Sequence, residues 1–224
     1  MRRLIVLTIG MFLLAAVTCN ADTVYTVSLD TSGLVGNPNA PFALDFQLTS
    51  GDTTSGVVNT AVLSEFIFGG GGGAAIGGPF PNSGNASGDL SSTVTLDTSG
   101  GSFFNEFSQY FTPGSTLVFQ LDLTNNPQPS GTPDEFTFQF IDNTLGEIST
   151  TDPSGSNSLV IIDLTGGTLQ PAIFTTNGDD VTITPELSSP TSGIPEPSTV
   201  WLVAPALLLA LRYKRRLSRH LSKS

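Results

Sequence analysis

Apolar and polar residues alternate along several segments of the chain, and this period of two constrains the fold more than any other feature. The segments 42–49 (FALDFQLT), 115–124 (STLVFQLDLT) and 134–142 (DEFTFQFID) place Phe or Leu at every second position. Successive side chains of a β-strand point to opposite faces, so this pattern predicts half-buried antiparallel strands. Further strands are predicted at 23–29, 61–68, 89–96, 158–164 and 180–185.

Clusters of Gly, Pro, Asn, Asp and Ser separate these segments, as turns between short strands require. Residues 104–111 (FNEFSQYF) come closest to a helical spacing and are predicted as a short turn of helix or an irregular edge. The whole pattern predicts an all-β chain that forms an antiparallel β-sandwich, jelly-roll-like, over residues 22–185. A single closed barrel is the alternative.

Two stretches of eight residues resemble each other. TVSLDTSG at 26–33 returns as TVTLDTSG at 93–100. Each is predicted to be a strand that runs into a turn, where the Asp side chain accepts a backbone N–H. A duplicated half-sandwich would explain the similarity, but repeated use of the same turn chemistry is the favoured explanation.

Charged residues are distributed very unevenly along the 224 residues. The chain has 8 Lys and Arg against 19 Asp and Glu, yet no Lys or Arg occurs between Leu4 and Leu211. Nucleic-acid binding needs basic side chains that neutralise phosphates, and an anionic membrane surface attracts the same residues. The acidic segment is therefore predicted to bind neither.

The part of this acidic segment between Asp22 and Ile194 also lacks the side chains that most catalytic sites use. The only Cys, His and Trp of the chain are Cys19, His220 and Trp201. This excludes Ser-His-Asp and Cys-His nucleophiles, His-rich zinc sites, disulfides and Lys–Asn isopeptide bonds from the acidic segment. Two carboxylates suffice for a glycosidase, but the Trp and Arg that hold sugars in such clefts are absent. The chain is therefore predicted not to be an enzyme.

A glycine-rich stretch at 68–80 (FGGGGGAAIGGPF) contains a G-x-G-x-x-G pattern. It lacks the alternating strands and helices in which that pattern indicates dinucleotide binding. It is predicted to be a flexible loop.

Two kinds of ligand remain as alternatives, although no cofactor or metal site is predicted. Ca²⁺ prefers carboxylate and carbonyl oxygens, which the segments 177–180 (NGDD) and 133–135 (PDE) supply, but solvated acidic turns are the favoured interpretation. A polysaccharide is the other alternative, and the aromatic residues available to stack on it are Tyr25, Tyr110 and the Phe residues.

The amino-terminal residues 1–21 have the pattern of a secretory signal peptide. Arg2 and Arg3 precede an apolar stretch at 4–17, and the small residues at both ends of 19–21 offer a cleavage site after Ala21. A lipoprotein signal acylated at Cys19 is an alternative. An uncleaved membrane helix is disfavoured by the short apolar length.

The carboxyl-terminal residues divide into three parts. A Pro/Ser/Gly-rich linker at 186–197 ends in Pro195, Glu196 and Pro197. In the segment 198–224, an apolar run at 199–211 is predicted to be a short transmembrane helix, about 20 Å long against a hydrocarbon core of about 30 Å. A basic tail at 212–224 follows and is expected to stay in the cytoplasm. Its membrane-flanking basic residues are Arg212, Lys214, Arg215 and Arg216.

These three parts, in this order, resemble the PEP-CTERM sorting signal of Gram-negative bacteria. The segment 134–155 is also similar to a block that recurs in one such family. The resemblance implies recognition by an exosortase-type enzyme in the inner membrane, cleavage near Pro195–Pro197, and transfer of the domain to the cell surface or the extracellular matrix. It also implies an association with exopolysaccharide and biofilm. The expected protein is thus exported, transiently anchored in the inner membrane and non-catalytic.

Overall fold

The computed structural model describes residues 22–73, 77, 80–177 and 182–188, and these residues contain eleven strands and two short 3-10 turns. All strand pairings are antiparallel, in two sheets with the orders β11-β1-β7-β3-β5-β4 and β10-β9-β8-β2-β6. The prediction of an all-β chain with two antiparallel sheets is confirmed. The strands are β1 (Thr23–Asp30), β2 (Phe42–Thr49), β3 (Thr60–Ile67), β4 (Ala86–Gly88), β5 (Val94–Asp97), β6 (Phe104–Phe111), β7 (Thr116–Leu123), β8 (Asp134–Ile141), β9 (Val160–Leu164), β10 (Ala172–Ile173) and β11 (Glu186–Leu187).

Phenylalanine rings join the inner faces of the two sheets. Phe46 on β2 and Phe138 on β8 stack with their ring centroids 5.2 Å apart, and both belong to the five-stranded sheet. Phe119 on β7 of the six-stranded sheet meets each of them edge-on at 5.6 Å. All three rings are buried, so they form the middle of one core shared by both sheets.

Two predicted strands differ from the observed ones. In the segment 89–96 only the second half is a strand, because Asp89 starts a turn in which its Oδ1 accepts the Ser91 N–H at 2.8 Å. The residues 182–185 form no strand, but Glu186 and Leu187 pair with β1. The first two residues assigned to the linker therefore lie in the six-stranded sheet.

The segment 104–111 is a regular strand at the edge of the five-stranded sheet, so the prediction of a helical turn or irregular edge is wrong. All eight residues of β6 pair with β2. Two of its four inward positions carry amides, Asn105 and Gln109, and this hides the apolar alternation. The amides are bonded inside the fold: Asn105 Nδ2 donates to the Leu48 carbonyl at 3.0 Å, and Gln109 Oε1 accepts the Leu90 N–H at 2.8 Å.

Most acidic turns share one motif, an Asp followed two residues later by Ser or Thr. In all six turns the Asp Oδ1 accepts the backbone N–H of that Ser or Thr, at 2.7 to 3.0 Å. These bonds fix the backbone of the turns, and at Asp30 and Asp97 they do so where the chain leaves a strand, as predicted. The six residues are Asp30, Asp52, Asp89, Asp97, Asp142 and Asp152.

The similar stretches 26–33 and 93–100 share this turn and little else. Both β1 and β5 lie in the six-stranded sheet. Each stretch is also followed further along the chain by a similar strand sequence, FALDFQLT at 42–49 and LVFQLDLT at 117–124. These belong to β2 and β7, which lie in different sheets. Repeated turn chemistry therefore explains the similarity better than a duplicated half-sandwich does.

Asp134, at the start of β8, ties the two sheets together at one end. Its carboxylate is fully buried. Its Oδ1 accepts hydrogen bonds from the Gly51 N–H at 2.8 Å and Gln128 Nε2 at 2.7 Å, and its Oδ2 accepts from Asn59 Nδ2 at 2.9 Å and Thr98 Oγ1 at 3.2 Å. Gly51 follows β2, whereas Asn59 and Thr98 adjoin β3 and β5 of the other sheet. Four neutral donors thus replace the water that a buried carboxylate loses.

Replacing Asp134 by Ala is expected to destabilise the sandwich strongly. The change leaves buried donors without an acceptor, so we expect the free energy of unfolding to fall by about 3 to 5 kcal/mol. Urea titration followed by circular dichroism measures this. Asp163→Ala, at an exposed position of β9, is the control and should cost less than about 0.5 kcal/mol. Equal midpoints for the two variants would show that Asp134 does not tie the sheets.

Candidate functional site

The outward side chains of β2, β6 and β8 form a polar surface, which we call the polar outer face. Two rows of neighbouring residues cross it. In one row Asp45 lies between Ser108 and Gln139, and in the next row Gln47 lies between Glu106 and Thr137. Direct neighbours on one face of an antiparallel sheet have Cβ atoms about 5 Å apart. Side chains distant in sequence therefore meet here.

Asp45 is fully buried although it points away from the core. Its Oδ2 accepts hydrogen bonds from Gln47 Nε2 at 2.7 Å and Gln139 Nε2 at 2.9 Å, and its Oδ1 accepts one from the Ser108 hydroxyl. Burial raises the pKa of the Asp45 carboxyl, and these hydrogen bonds only partly offset that effect. Asp45 is thus a buried carboxyl held by neutral groups.

Glu106 is the second carboxyl of the cluster, and its pKa is raised to about 7. Burial is the largest cause, followed by the charge of Asp45, a hydrogen bond with Asp45 and the charge of Glu147. Two carboxyls this close favour a state in which one of them is protonated. The Asp45–Glu106 pair therefore holds a proton near neutral pH.

Glu147 joins the cluster from the loop between β8 and β9. The side chain of Gln139 links it to Asp45, because Gln139 Nε2 also donates to Glu147 Oε1 at 3.3 Å. Asn157 Nδ2 donates to the other oxygen of Glu147 at 3.0 Å. Glu147 itself is exposed, so the cluster extends from a buried carboxyl to the surface.

The carboxylates of the described acidic turns already accept hydrogen bonds from other groups of the fold. In the predicted calcium segment 133–135, Asp134 points inward and accepts four hydrogen bonds. Within the part of the chain that the structure describes, no group of three or more His, Cys, Asp or Glu is placed to hold a metal ion. Asp179 and Asp180 lie outside that part. Calcium binding stays a prediction.

The two predicted stacking tyrosines lie in different environments. Tyr25 is 2% exposed, so it belongs to the core and is not available to a sugar. Tyr110 is half-buried at the border of the polar outer face, where Phe80 meets it edge-on with ring centroids 4.7 Å apart. The Phe80 N–H donates to the Ser108 carbonyl at 2.9 Å, which fixes this aromatic pair beside β6.

The start of the glycine-rich stretch is packed, contrary to the prediction of a flexible loop. Gly73 pairs with Thr112, and the Gly72 N–H donates to the Gly69 carbonyl at 3.3 Å. A Cβ on Gly114 would collide with the Phe68 carbonyl, so the two turns approach too closely for any side chain there. Residues 74–76 and 78–79 lie outside the described residues.

The predicted sorting residues also lie outside the described residues. They are Pro195, Glu196 and Pro197 of the motif, and Arg212, Lys214, Arg215 and Arg216 of the basic tail. Among the residues that are described, no helix has the length and apolar character needed to span a bilayer.

The Asp45–Glu106 cluster was not predicted from the sequence. The only local sign of it is one Asp inside the apolar strand 42–49.

Comparison with known proteins adds no relative: no protein-family model matches the chain, and no curated protein or solved structure is significantly similar to it.

We expect the stability of the sandwich to fall as the pH rises through neutrality. The folded chain binds the Glu106 proton more tightly than the unfolded chain does. The resulting stabilisation is complete below the ordinary pKa of 4.5 and is lost as the pH rises through about 7. Burial of Asp45 acts in the same direction. Urea midpoints measured between about pH 5 and pH 8 should therefore decrease with pH.

The variant Glu106→Gln should reduce this slope, since an amide does not titrate. It should leave the contributions of Asp45, Asp122 and Glu135, whose pKa values burial also raises. Glu65→Gln, at an exposed position of β3, is the matched control and should keep it. The turn carboxylates do not interfere, because hydrogen bonds lower the pKa of Asp30, Asp52 and Asp89. Their stabilisation is present above the ordinary value of 3.8 and is lost only in stronger acid. An unchanged slope in Glu106→Gln would contradict the assignment of the proton to this pair.

Proposed function

We propose that this is an exported, non-catalytic protein of the cell surface or extracellular matrix, sorted through its carboxyl terminus and associated with exopolysaccharide and biofilm. The observation that carries the proposal is the order of three features: the triplet Pro195-Glu196-Pro197, the apolar run at 199–211 and the basic tail at 212–224. A short apolar run between an extended triplet and a positive tail suits a removable anchor better than a permanent span.

The proposed partner is an exosortase-type processing enzyme in the inner membrane of a Gram-negative bacterium. The apolar run holds the chain in that membrane until cleavage, and the basic residues from Arg212 to Arg216 keep the tail in the cytoplasm. The signal peptide is removed after Ala21, which leaves Asp22 as the first residue of the mature chain.

The limits of the sandwich are compatible with both cleavage events. β1 starts at Thr23, directly after the proposed mature terminus, and β11 ends at Leu187, before the Pro-Glu-Pro triplet. Cleavage after Ala21 and near Pro195–Pro197 would therefore remove none of the described strands. Processing would release the domain with both sheets complete.

The strand order supports a jelly-roll assignment for the sandwich. Without the short strands β4, β10 and β11, eight strands remain in the orders β1-β7-β3-β5 and β9-β8-β2-β6. Every pairing among them also occurs in an eight-stranded jelly roll whose first strand has been moved to the end of the chain. Interstrand nuclear Overhauser contacts between β1 and β7 and between β2 and β6 test this order, and other neighbours would contradict it.

Binding of a polysaccharide by the domain is the alternative function, and the Phe80–Tyr110 pair favours it. The pair places aromatic surface beside a face rich in amides and carboxyls, which is the composition that sugar recognition requires. We expect Tyr110→Ala to weaken co-sedimentation with the host exopolysaccharide about tenfold or more. Phe103→Ala, at a residue that is 63% exposed, is the control and should bind like the wild type. Absence of wild-type binding would contradict this alternative.

Replacing Pro195, Glu196 and Pro197 together by Ala tests the sorting proposal in the native host. The extended triplet that the enzyme grips is lost, so we expect an uncleaved, larger chain that stays in the membrane fraction. Immunoblots of membrane, surface and medium fractions measure both size and location. Pro190→Ala, in the same linker, is the control and should be processed normally. Unchanged size and location of the triple variant would refute the proposal.

A further inference from the structure

A hydroxyl and a side-chain amide face each other in the middle of the polar outer face. Thr137 on β8 and Gln47 on β2 are direct neighbours in the strand register, although 90 positions separate them in the sequence. The Thr137 hydroxyl donates to Gln47 Oε1 at 3.4 Å. Thr137 is only 6% exposed, so the pair is largely shielded from competing water. The Thr137 hydroxyl is thus in direct contact with the Gln47 amide group, and proximity of two reacting groups is the first requirement of an intramolecular reaction.

The nitrogen of the same amide lies against the carboxyl pair. Gln47 Nε2 donates to Asp45 Oδ2 at 2.7 Å, and Asp45 is hydrogen-bonded to Glu106. Glu106 is also the direct neighbour of Gln47 on the side away from Thr137. The Asp45–Glu106 pair retains a proton near neutral pH, so an acid is present at the one atom that must leave if the amide is attacked. Nucleophile, carbonyl and proton source therefore occupy neighbouring positions on three adjacent strands.

We propose that Thr137 and Gln47 form an intramolecular ester that covalently joins β8 to β2. Thr137 Oγ1 attacks the Gln47 Cδ, the new Oγ1–Cδ bond forms and the Cδ–Nε2 bond breaks. The nitrogen leaves as ammonia with the proton that the hydroxyl gives up, and Asp45, which touches that nitrogen, ends in its starting state. No oxidant, metal or second substrate is needed, so the atoms balance within the chain.

The side chains of Gln139, Gln120 and Gln128 have different neighbours. Gln139 also donates to Asp45, but its direct neighbour on β2 is Asp45 itself, which is no nucleophile for an amide in this geometry. Gln120 lies on the other sheet and donates to Glu65. Gln128 is bonded to the Ser55 hydroxyl and to Asp134, but the groups bonded to Asp134 are four neutral donors and include no second carboxyl. Gln47 is therefore distinguished by having both a hydroxyl neighbour and a carboxyl pair.

An ester between Thr137 and Gln47 would join two interior strands of the five-stranded sheet and so strengthen it. β8 and β2 are neighbours inside the five-stranded sheet, with β9 and β6 on their outer sides. The segment from Leu4 to Leu211 has one Cys and no Lys, so disulfide and Lys–Asn cross-links are not open to it. An ester needs only the hydroxyl and amide side chains that this chain has in abundance. The proposal does not depend on the sorting function.

Mass spectrometry of the full chain purified from its exporting host tests the ester. We expect an intact mass lower by one ammonia than that of the sequence between the observed termini. After digestion with pepsin, peptides that contain β2 and β8 should remain joined. Hydroxylamine cleaves esters and should separate them; the one peptide bond that it also attacks, Asn177–Gly178, lies outside both strands.

Matched variants locate the bond. Thr137→Val and Gln47→Ala should each restore the full sequence mass and release the two peptides, whereas Thr49→Val, the next outward position on β2, should keep the mass deficit. If Thr137→Val does not fold, the wild-type digest still decides the question. A wild-type chain of full mass, or an ammonia loss confined to a single peptide, would overturn the proposal. So would a joined pair that hydroxylamine does not separate.

Discussion

Every carboxylate of the sandwich has to be stabilised without a lysine or arginine, because none occurs between Leu4 and Leu211. The rest of the structure depends on how this constraint is met. At Asp134, four neutral donors from loops of both sheets surround one buried carboxylate, and the sandwich is joined at that end as a result. At the turns, backbone N–H groups do the same for aspartates such as the exposed Asp30 and the half-buried Asp97. Acidic side chains thus organise the backbone.

The polar outer face meets the same constraint in a second way. Asp45 and Glu106 lie too close together for both to be charged without a cation, so they retain a proton instead. This makes the cluster chemically different from the turn aspartates, whose pKa values are lowered where hydrogen bonds dominate. It also places an acid beside the Gln47 amide. The lack of basic side chains, which shapes the fold, therefore also produces the arrangement from which the proposed ester would form.

Whether a strand was predicted correctly depends on which side chains occupy its inward positions. The strand 42–49 was predicted with the bounds that β2 has, because its inward residues are all Phe or Leu. The strand 104–111 was missed because Asn105 and Gln109 point inward and are bonded there to backbone groups of other elements. Residues 89–93 were assigned to a strand because nothing local distinguishes an Asp that starts a turn from one at a strand end. The position of a buried amide or carboxyl side chain is set by its hydrogen-bond partners, and those partners are distant in sequence.

The sequence by itself determined the all-β class, most strand positions, the turns at Asp30 and Asp97, and the separation of charge between the middle and the two ends. These features depend on alternation and on contacts two residues apart, which are local. Only the tertiary structure decided that Asp45 meets Ser108 and Gln139, from 63 and 94 positions away, and that Thr137 faces Gln47. Those contacts depend on strand order and register. Register arises from the packing of two whole inner faces, which no short segment encodes.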